Sequence, residues 1–86
     1  MNVNLIQNCV IAGQDLHLGE LIKEKLKENG SSVSWVAKQL NRDRTNMYKI
    51  FQNPHINTLL LLQLSFILNY NFFIHCSDFF KKNKQE

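Results

Sequence analysis

The sequence predicts an all-α fold of four to five short helices. Apolar residues recur with helical spacing from Leu16 to Phe80, and residues that cap helix N-termini precede the first four periodic segments. The chain has 86 residues with only 3 Gly and 1 Pro, too few turn formers for a sandwich or barrel of many short strands. Because this length suits one small core, we interpret residues 1–86 as a single domain.

The first helix is expected from about Leu16 to Glu28. Asp15 is expected to cap its start, and Asn29-Gly30 to end it with a left-handed residue. Its apolar stripe consists of Leu18, Leu21, Ile22 and Leu26. Residues 1–14 show no sustained period, so this N-terminal arm could be flexible, a short strand or an extra helical turn.

Two short helices separated by a tight turn follow. The second helix is expected over 33–40 with Ser32 as its cap, and the third over 44–52 with Asp43 as its cap. Only Asn41-Arg42 joins them, and Asn tolerates the positive φ that such a turn requires. The side chains expected to face the core are Val33, Val36, Ala37 and Leu40 in the second helix and Met47, Ile50 and Phe51 in the third.

The fourth helix is predicted over about 58–68, after the loop Asn53-Pro54-His55, with Asn57 as its cap. It carries two apolar stripes, which indicates burial on more than one side. The first stripe is Leu61, Leu64, Ser65 and Leu68, and the second is Leu59, Leu62, Phe66 and Tyr70. An aromatic fifth helix is expected over 72–80, and residues 81–86 are expected to form a soluble tail.

Positive charge is concentrated in the middle of the chain. The formal net charge is +3, and residues 29–77 set Lys38, Arg42, Arg44 and Lys49 against Asp43 alone. This distribution favours an anionic partner such as nucleic-acid phosphate, although a solvated basic helix face gives the same pattern.

The same composition argues against several other classes of protein. No apolar run approaches the roughly 18 residues of a membrane span, and the N-terminus lacks an export signal. Two cysteines, Cys9 and Cys76, fit a reducing cytoplasm rather than a disulfide framework. The three histidines share no helix face and no Gly-rich phosphate loop is present. We therefore expect no membrane association, metal, cofactor or catalytic activity.

The third helix carries the strongest functional signal. Its polar side presents Arg44, Thr45, Tyr48 and Lys49, and a helix held this way after a tight turn can enter the major groove of double-stranded DNA. Arg44 can pair with guanine O6 and N7, Thr45 can contact the thymine methyl, and Lys49 can reach guanine or phosphate.

Other polar side chains are placed to contact the flanking phosphates rather than the bases. Ser32 at the start of the second helix and Arg42 in the turn are the main candidates, and Lys38 is a weaker one. Asn46 and Tyr48 are candidates that flank the base-reading positions on the third helix.

The stretch over residues 17–70 resembles the phage-repressor (Cro/cI-like, XRE-type) helix-turn-helix family of bacterial transcription regulators. The resemblance rests on the leucine-rich first helix, Ser32, Ala37 and Leu40, the segment Asp43-Arg44-Thr45-Asn46-Met47, Ile50, and the fourth helix that Asn57 caps. It implies a lambda-repressor-like DNA-binding domain, usually dimeric, with Arg44, Thr45 and Lys49 at base-reading positions. It also implies that Asn46, Gln52 and Asn53 lie near phosphates.

The chain departs from the family pattern at two places. Phe51 stands where many members have an acidic residue, and Gln52-Asn53-Pro54 stands where many have a glycine. An Asn in that loop could replace the glycine in a left-handed conformation.

Two kinds of protein partner are also expected. The apolar residues of the last two helices are candidates for a homodimer interface, which would set two reading helices about one DNA turn apart. These residues are Leu59, Leu62, Phe66, Phe72, Phe79 and Phe80. In one alternative the fifth helix closes over the first and fourth within one chain. In another, the chain is an antitoxin-like or adaptor module that binds a different protein through these helices.

Overall fold

The computed structural model describes residues 10–11 and 14–84, and residues 10–11 and 14–15 as main chain only. The prediction of an all-α fold is confirmed, because five helices contain most of the described residues. The chain divides into two compact units. One unit spans His17–Phe72 and contains four of these helices; the other contains the N-terminal segment and the last helix.

The four helices of the His17–Phe72 unit lie close to their predicted bounds. They are α1 (Leu18–Glu28), α2 (Val33–Gln39), α3 (Arg44–Gln52) and α4 (Thr58–Leu68). The predicted caps of the last three helices are confirmed. The side chains of Ser32, Asp43 and Asn57 accept hydrogen bonds from the main-chain N–H three residues on, at 3.0, 3.0 and 2.8 Å.

The start of α1 differs from the prediction. His17, not Asp15, is its N-cap, and its Nδ1 accepts a hydrogen bond from the Glu20 N–H at 3.1 Å. Asp15 belongs instead to a short strand. Helix α1 therefore begins two residues later than expected, at the first residue of its apolar stripe, and an imidazole nitrogen takes the place of the usual cap oxygen.

Three of the helices end in the same way. A residue with positive φ follows each of α1, α2 and α4: Gly30 (71°), Asn41 (57°) and Asn69 (51°). At α2, the Arg42 N–H donates to the Ala37 carbonyl at 2.9 Å and the Asn41 N–H donates to the Lys38 carbonyl at 3.1 Å. This pair of bonds is a Schellman motif. The left-handed residues predicted after α1 and α2 are thus confirmed.

The hydrophobic core lies within the His17–Phe72 unit, where α1 contacts α3 and α4, and α2 contacts α3. Each helix contributes the side of its surface that carries regularly spaced apolar residues. The buried side chains are Leu18, Ile22, Leu26, Val36, Ala37, Met47, Ile50, Phe51, Leu60, Leu61, Leu64, Leu68 and Phe72.

Among the described residues, helix α4 buries one side and leaves the opposite side exposed, so the expectation of burial on more than one side is wrong for this part of the chain. Its second stripe remains exposed, with Leu59 at 66%, Leu62 at 41% and Phe66 at 78%. Of that stripe, only Tyr70, which follows α4, is half-buried. Its ring packs edge-on against Phe72 at 5.0 Å and lies 4.1 Å from Lys25 Nζ.

The second unit contains β1 (Val10–Ile11), β2 (Gln14–Asp15) and α5 (Phe73–Asn83). The strands are antiparallel, with Val10 opposite Asp15 and Ile11 opposite Gln14. Of the three alternatives for the N-terminal arm, a short strand is therefore the one that applies to Val10, Ile11 and Gln14. The other residues of 1–14 and the end of the tail lie outside the described residues.

The predicted bounds of the fifth helix, 72–80, need correction at both ends. Helix α5 begins at Phe73 and continues through Lys81 and Lys82 to Asn83, which were expected in the tail. Phe72 precedes the helix and is 0% exposed. A side chain buried in this way cannot form part of a dimer interface, so that assignment of Phe72 is wrong.

No single helix among the described residues is long and apolar enough to cross a membrane. Helices α4 and α5 reach the length and apolar composition of a membrane span only when they are counted together across the break between them.

Candidate nucleic-acid interface

Helix α3 is fixed to the rest of the molecule by its apolar side. Met47 is 0% exposed, and Ile50 and Phe51 are also buried. At its start, the Asp43 carboxylate accepts from the Asn46 N–H, which satisfies one of the main-chain donors that a helix N-terminus leaves unpaired. The orientation of α3 is therefore set by packing and capping, and its remaining side faces solvent.

The exposed side of α3 contains the three residues predicted to read bases, which are Arg44, Thr45 and Lys49. The flanking candidate Tyr48 is exposed on the same side. Within the described part of the chain, no carboxylate forms an ion pair with Arg44 or Lys49, or with Lys38 and Arg42 on α2 and the turn. These four cations are thus available to an anionic ligand.

Arg44 and Tyr48 are in direct contact on this face. The hydroxyl oxygen of Tyr48 accepts hydrogen bonds from Arg44 Nε at 3.3 Å and from Arg44 Nη2 at 3.2 Å. The two residues are one helical turn apart, where side chains on a helix surface meet. Tyr48 was predicted only as a flanking candidate, so its contact with Arg44 was not predicted; the i,i+4 spacing of the two residues was the signal for it in the sequence.

The predicted phosphate contacts outside α3 are also exposed. Ser32, Lys38 and Arg42 all lie on the surface of α2 or the turn after it. Ser32 Oγ accepts a hydrogen bond from the Trp35 N–H at 3.0 Å. Because a hydroxyl that accepts still carries its own proton, Ser32 can cap α2 and donate to a ligand oxygen at the same time.

Three further candidates lie within or just beyond α3. Asn46 is half-buried, so it is less accessible than its neighbours, whereas Gln52 and Asn53 are exposed. Asn53 is extended (φ −92°, ψ 118°), so it does not take the left-handed conformation in which an Asn could replace the glycine of the family pattern. The cause is Pro54, because the ring of a proline disfavours helical conformations in the preceding residue.

Sequence reasoning missed the contribution of Gly19, which lies in the first turn of α1. A Cβ atom at this position would come within 2.6 Å of the main-chain oxygens of Ile50, Phe51 and Asn53. Glycine is therefore required where α1 approaches the end of α3. The sequence showed only that Gly19 lies on the buried stripe, three and seven residues before Ile22 and Leu26; it did not show the approach of α1 to α3.

A second surface feature of the His17–Phe72 unit is apolar. Leu59, Leu62 and Phe66 follow one another along α4 at i, i+3 and i+7, and α4 contains no charged residue. In α5, which belongs to the other unit, Phe80 is 63% exposed and Phe79 is half-buried.

The described residues contain no group of three or more His, Cys, Asp or Glu side chains that could hold a metal ion. Comparisons with models of protein families, with curated proteins and with solved structures found no match.

Proposed function

We propose that the protein binds double-stranded DNA sequence-specifically and regulates transcription in the cytoplasm, as a repressor-like protein without a cofactor. The observation that carries this proposal is the exposed side of α3. A helix anchored through Met47, Ile50 and Phe51 presents Arg44, Thr45 and Lys49 to solvent directly after a tight turn. This is the arrangement in which a helix-turn-helix protein places its second helix in the major groove.

The chemistry of the three side chains suits base readout. The Arg44 guanidinium offers paired N–H donors that match guanine O6 and N7, and the Thr45 methyl can contact the methyl of thymine. Lys49, one turn farther along α3, can reach a guanine or a phosphate. These contacts would provide the sequence-dependent part of the binding free energy.

The surrounding surface suits the DNA backbone. Lys38 and Arg42 supply positive charge without a paired carboxylate within the described residues, and Ser32 supplies a hydroxyl donor. Contacts of this kind fix the register of a protein on the duplex and make its affinity depend on salt. We place Gln52, Asn53 and Asn46 at the edge of this surface.

A salt titration by fluorescence anisotropy tests the proposal. The protein is titrated with a random duplex and with a duplex enriched by selection, each at several salt concentrations. We expect affinity to fall steeply with salt and to favour the enriched duplex by at least about a thousandfold. An absence of binding at low salt would reject the proposal.

We also propose that the protein acts as a homodimer through the exposed α4 stripe of Leu59, Leu62 and Phe66. A stripe without charge can meet its own copy across a two-fold axis without like-charge repulsion, and association removes its apolar surface from water. Phe79 and Phe80 of α5, which belongs to the other unit, stay separate candidates for a homodimer interface. A dimer would present two α3 helices to a palindromic site.

The alternative is a protein-interaction module of the antitoxin or adaptor kind. The same exposed stripe on α4 favours it, because a contiguous apolar patch marks a binding surface whatever the partner. The double substitution Arg44→Ala with Lys49→Ala separates the two functions. It should abolish specific DNA binding under the main proposal and leave partner binding unchanged under the alternative.

A further inference from the structure

We propose that Tyr48 is a positioning residue that orients Arg44 for the readout of a guanine. This inference rests on the proposed DNA-binding function, and it assigns to Tyr48 a role in specificity rather than a contact with phosphate. It starts from the two hydrogen bonds that the Tyr48 hydroxyl accepts from Arg44 Nε and Nη2.

A guanidinium has two edges from which it can donate a pair of parallel hydrogen bonds. The Nε and Nη2 atoms form one edge, and the Nη1 and Nη2 atoms form the other. Tyr48 occupies the first edge, at 3.3 and 3.2 Å. The second edge stays open, and its two donors match the O6 and N7 acceptors of one guanine. The contact therefore selects which edge of Arg44 is presented to the DNA.

The tyrosine ring is itself held by the core. It packs edge-on against Phe51, with ring centroids 5.9 Å apart and planes at 85°, and Phe51 is buried. A line of contacts thus runs from the core through Phe51 and Tyr48 to the guanidinium of Arg44. Holding the arginine in one conformation before binding reduces the entropy that it loses on binding.

The hydroxyl, rather than the aromatic face, is the part of Tyr48 that holds Arg44. Arg44 Cζ lies 5.9 Å from the ring centroid, close to the outer limit of a cation–π contact. Tyr48→Phe consequently removes the interaction while it retains the ring and its packing against Phe51. Both side chains are exposed, so we expect this substitution to leave thermal stability nearly unchanged.

The test is a double-mutant cycle on DNA binding. Tyr48→Phe, Arg44→Ala and the double variant are titrated with the selected duplex and with a duplex in which the guanine under Arg44 is replaced. We expect Tyr48→Phe to weaken binding to the selected duplex roughly three- to tenfold, the effect of ordering one long side chain. It should have no effect in the Arg44→Ala background, and no effect on binding to the substituted duplex.

The possible results separate this inference from the function on which it rests. If the wild-type protein does not bind DNA, the proposed function and this inference both fail. If it binds specifically but the effects of the two substitutions are additive, the inference alone is overturned and the DNA-binding function remains. Tyr70→Phe, which removes the hydroxyl of the other tyrosine away from α3, is the control and should leave guanine preference unchanged.

Discussion

The main-chain N–H of Gly19 donates a hydrogen bond to the carbonyl oxygen of Asn53 at 3.1 Å, and the adjacent Leu18 N–H donates to Pro54 at 3.2 Å. The first turn of α1 therefore satisfies two of its unpaired donors with the loop that follows α3. This contact ties the end of the proposed recognition helix to α1.

Replacement of Gly19 tests how tightly that contact is packed. We expect Gly19→Ala to lower the free energy of unfolding by about 1–3 kcal/mol, because the added methyl would overlap main-chain oxygens that cannot rotate away. Thermal unfolding should show a fall in Tm of roughly 4–8 °C per kcal/mol. Lys23→Ala, a substitution at an exposed position of the same helix, is the control. Equal stability of the two variants would contradict the close packing of Gly19 against the end of α3.

The turn between α2 and α3 yields a second stability prediction. Asn41 has a φ of 57°, which alanine adopts less readily than asparagine and which glycine adopts without strain. Asn41→Ala should lower the free energy of unfolding by about 1 kcal/mol, whereas Asn41→Gly should leave it equal or raise it. Urea denaturation measures both, with Gln39→Ala as the exposed control; a loss of stability in Asn41→Gly would show that the turn depends on the asparagine side chain.

Local features of the fold were predictable from the sequence. Ser32, Asp43 and Asn57 cap their helices as expected because a cap depends on a side chain and a main-chain N–H three residues away. The left-handed Asn41 was likewise set by the shortness of the turn. These interactions involve neighbours in sequence, so the pattern of residue types determines them.

Contacts between distant segments were not predictable in the same way. The close approach of Gly19 to the end of α3 depends on how two helices cross, which residue spacing does not define. The second stripe of α4 was expected to be buried but is exposed. Its apolar character predicted burial, but apolar character alone does not show whether another element covers a stripe. The candidate site was predicted as a set of residues on α3, but the coupling of Arg44 to Tyr48 required side-chain positions.

Base and phosphate contacts should respond differently to substitution. We expect Arg44→Ala to weaken binding to the selected duplex by about 1–3 kcal/mol and to relax preference at one base pair. Lys38→Ala should weaken binding to all duplexes alike and reduce the salt slope by about 1. Anisotropy titrations on selected and scrambled duplexes distinguish the two kinds of contact. If Arg44→Ala lowered the affinity for both duplexes equally, Arg44 would be a phosphate contact instead.

The proposed homodimer depends on Phe66, which is 78% exposed in the single chain. Phe66→Glu places a charge on the apolar stripe of α4, so we expect it to convert the dimer to a monomer while helicity is retained. Sedimentation at tens of micromolar measures this, and Trp35→Glu, which changes an exposed aromatic on α2, should remain dimeric. A wild-type protein that sediments only as a monomer would contradict the dimer.

The recognition role of α3 is tested by a comparison of two double variants that remove the same charge from different helices. Arg44→Ala with Lys49→Ala alters the exposed side of α3, whereas Lys23→Ala with Lys27→Ala alters exposed lysines of α1. By anisotropy on the selected duplex at fixed salt, the α3 variant should bind at least about 100-fold more weakly, because it loses two base-edge contacts. The α1 variant should remain within about threefold of wild type, since surface charges away from the interface act through a field that salt screens. Equal losses in the two variants would contradict a recognition role for α3 and attribute the binding to net charge alone.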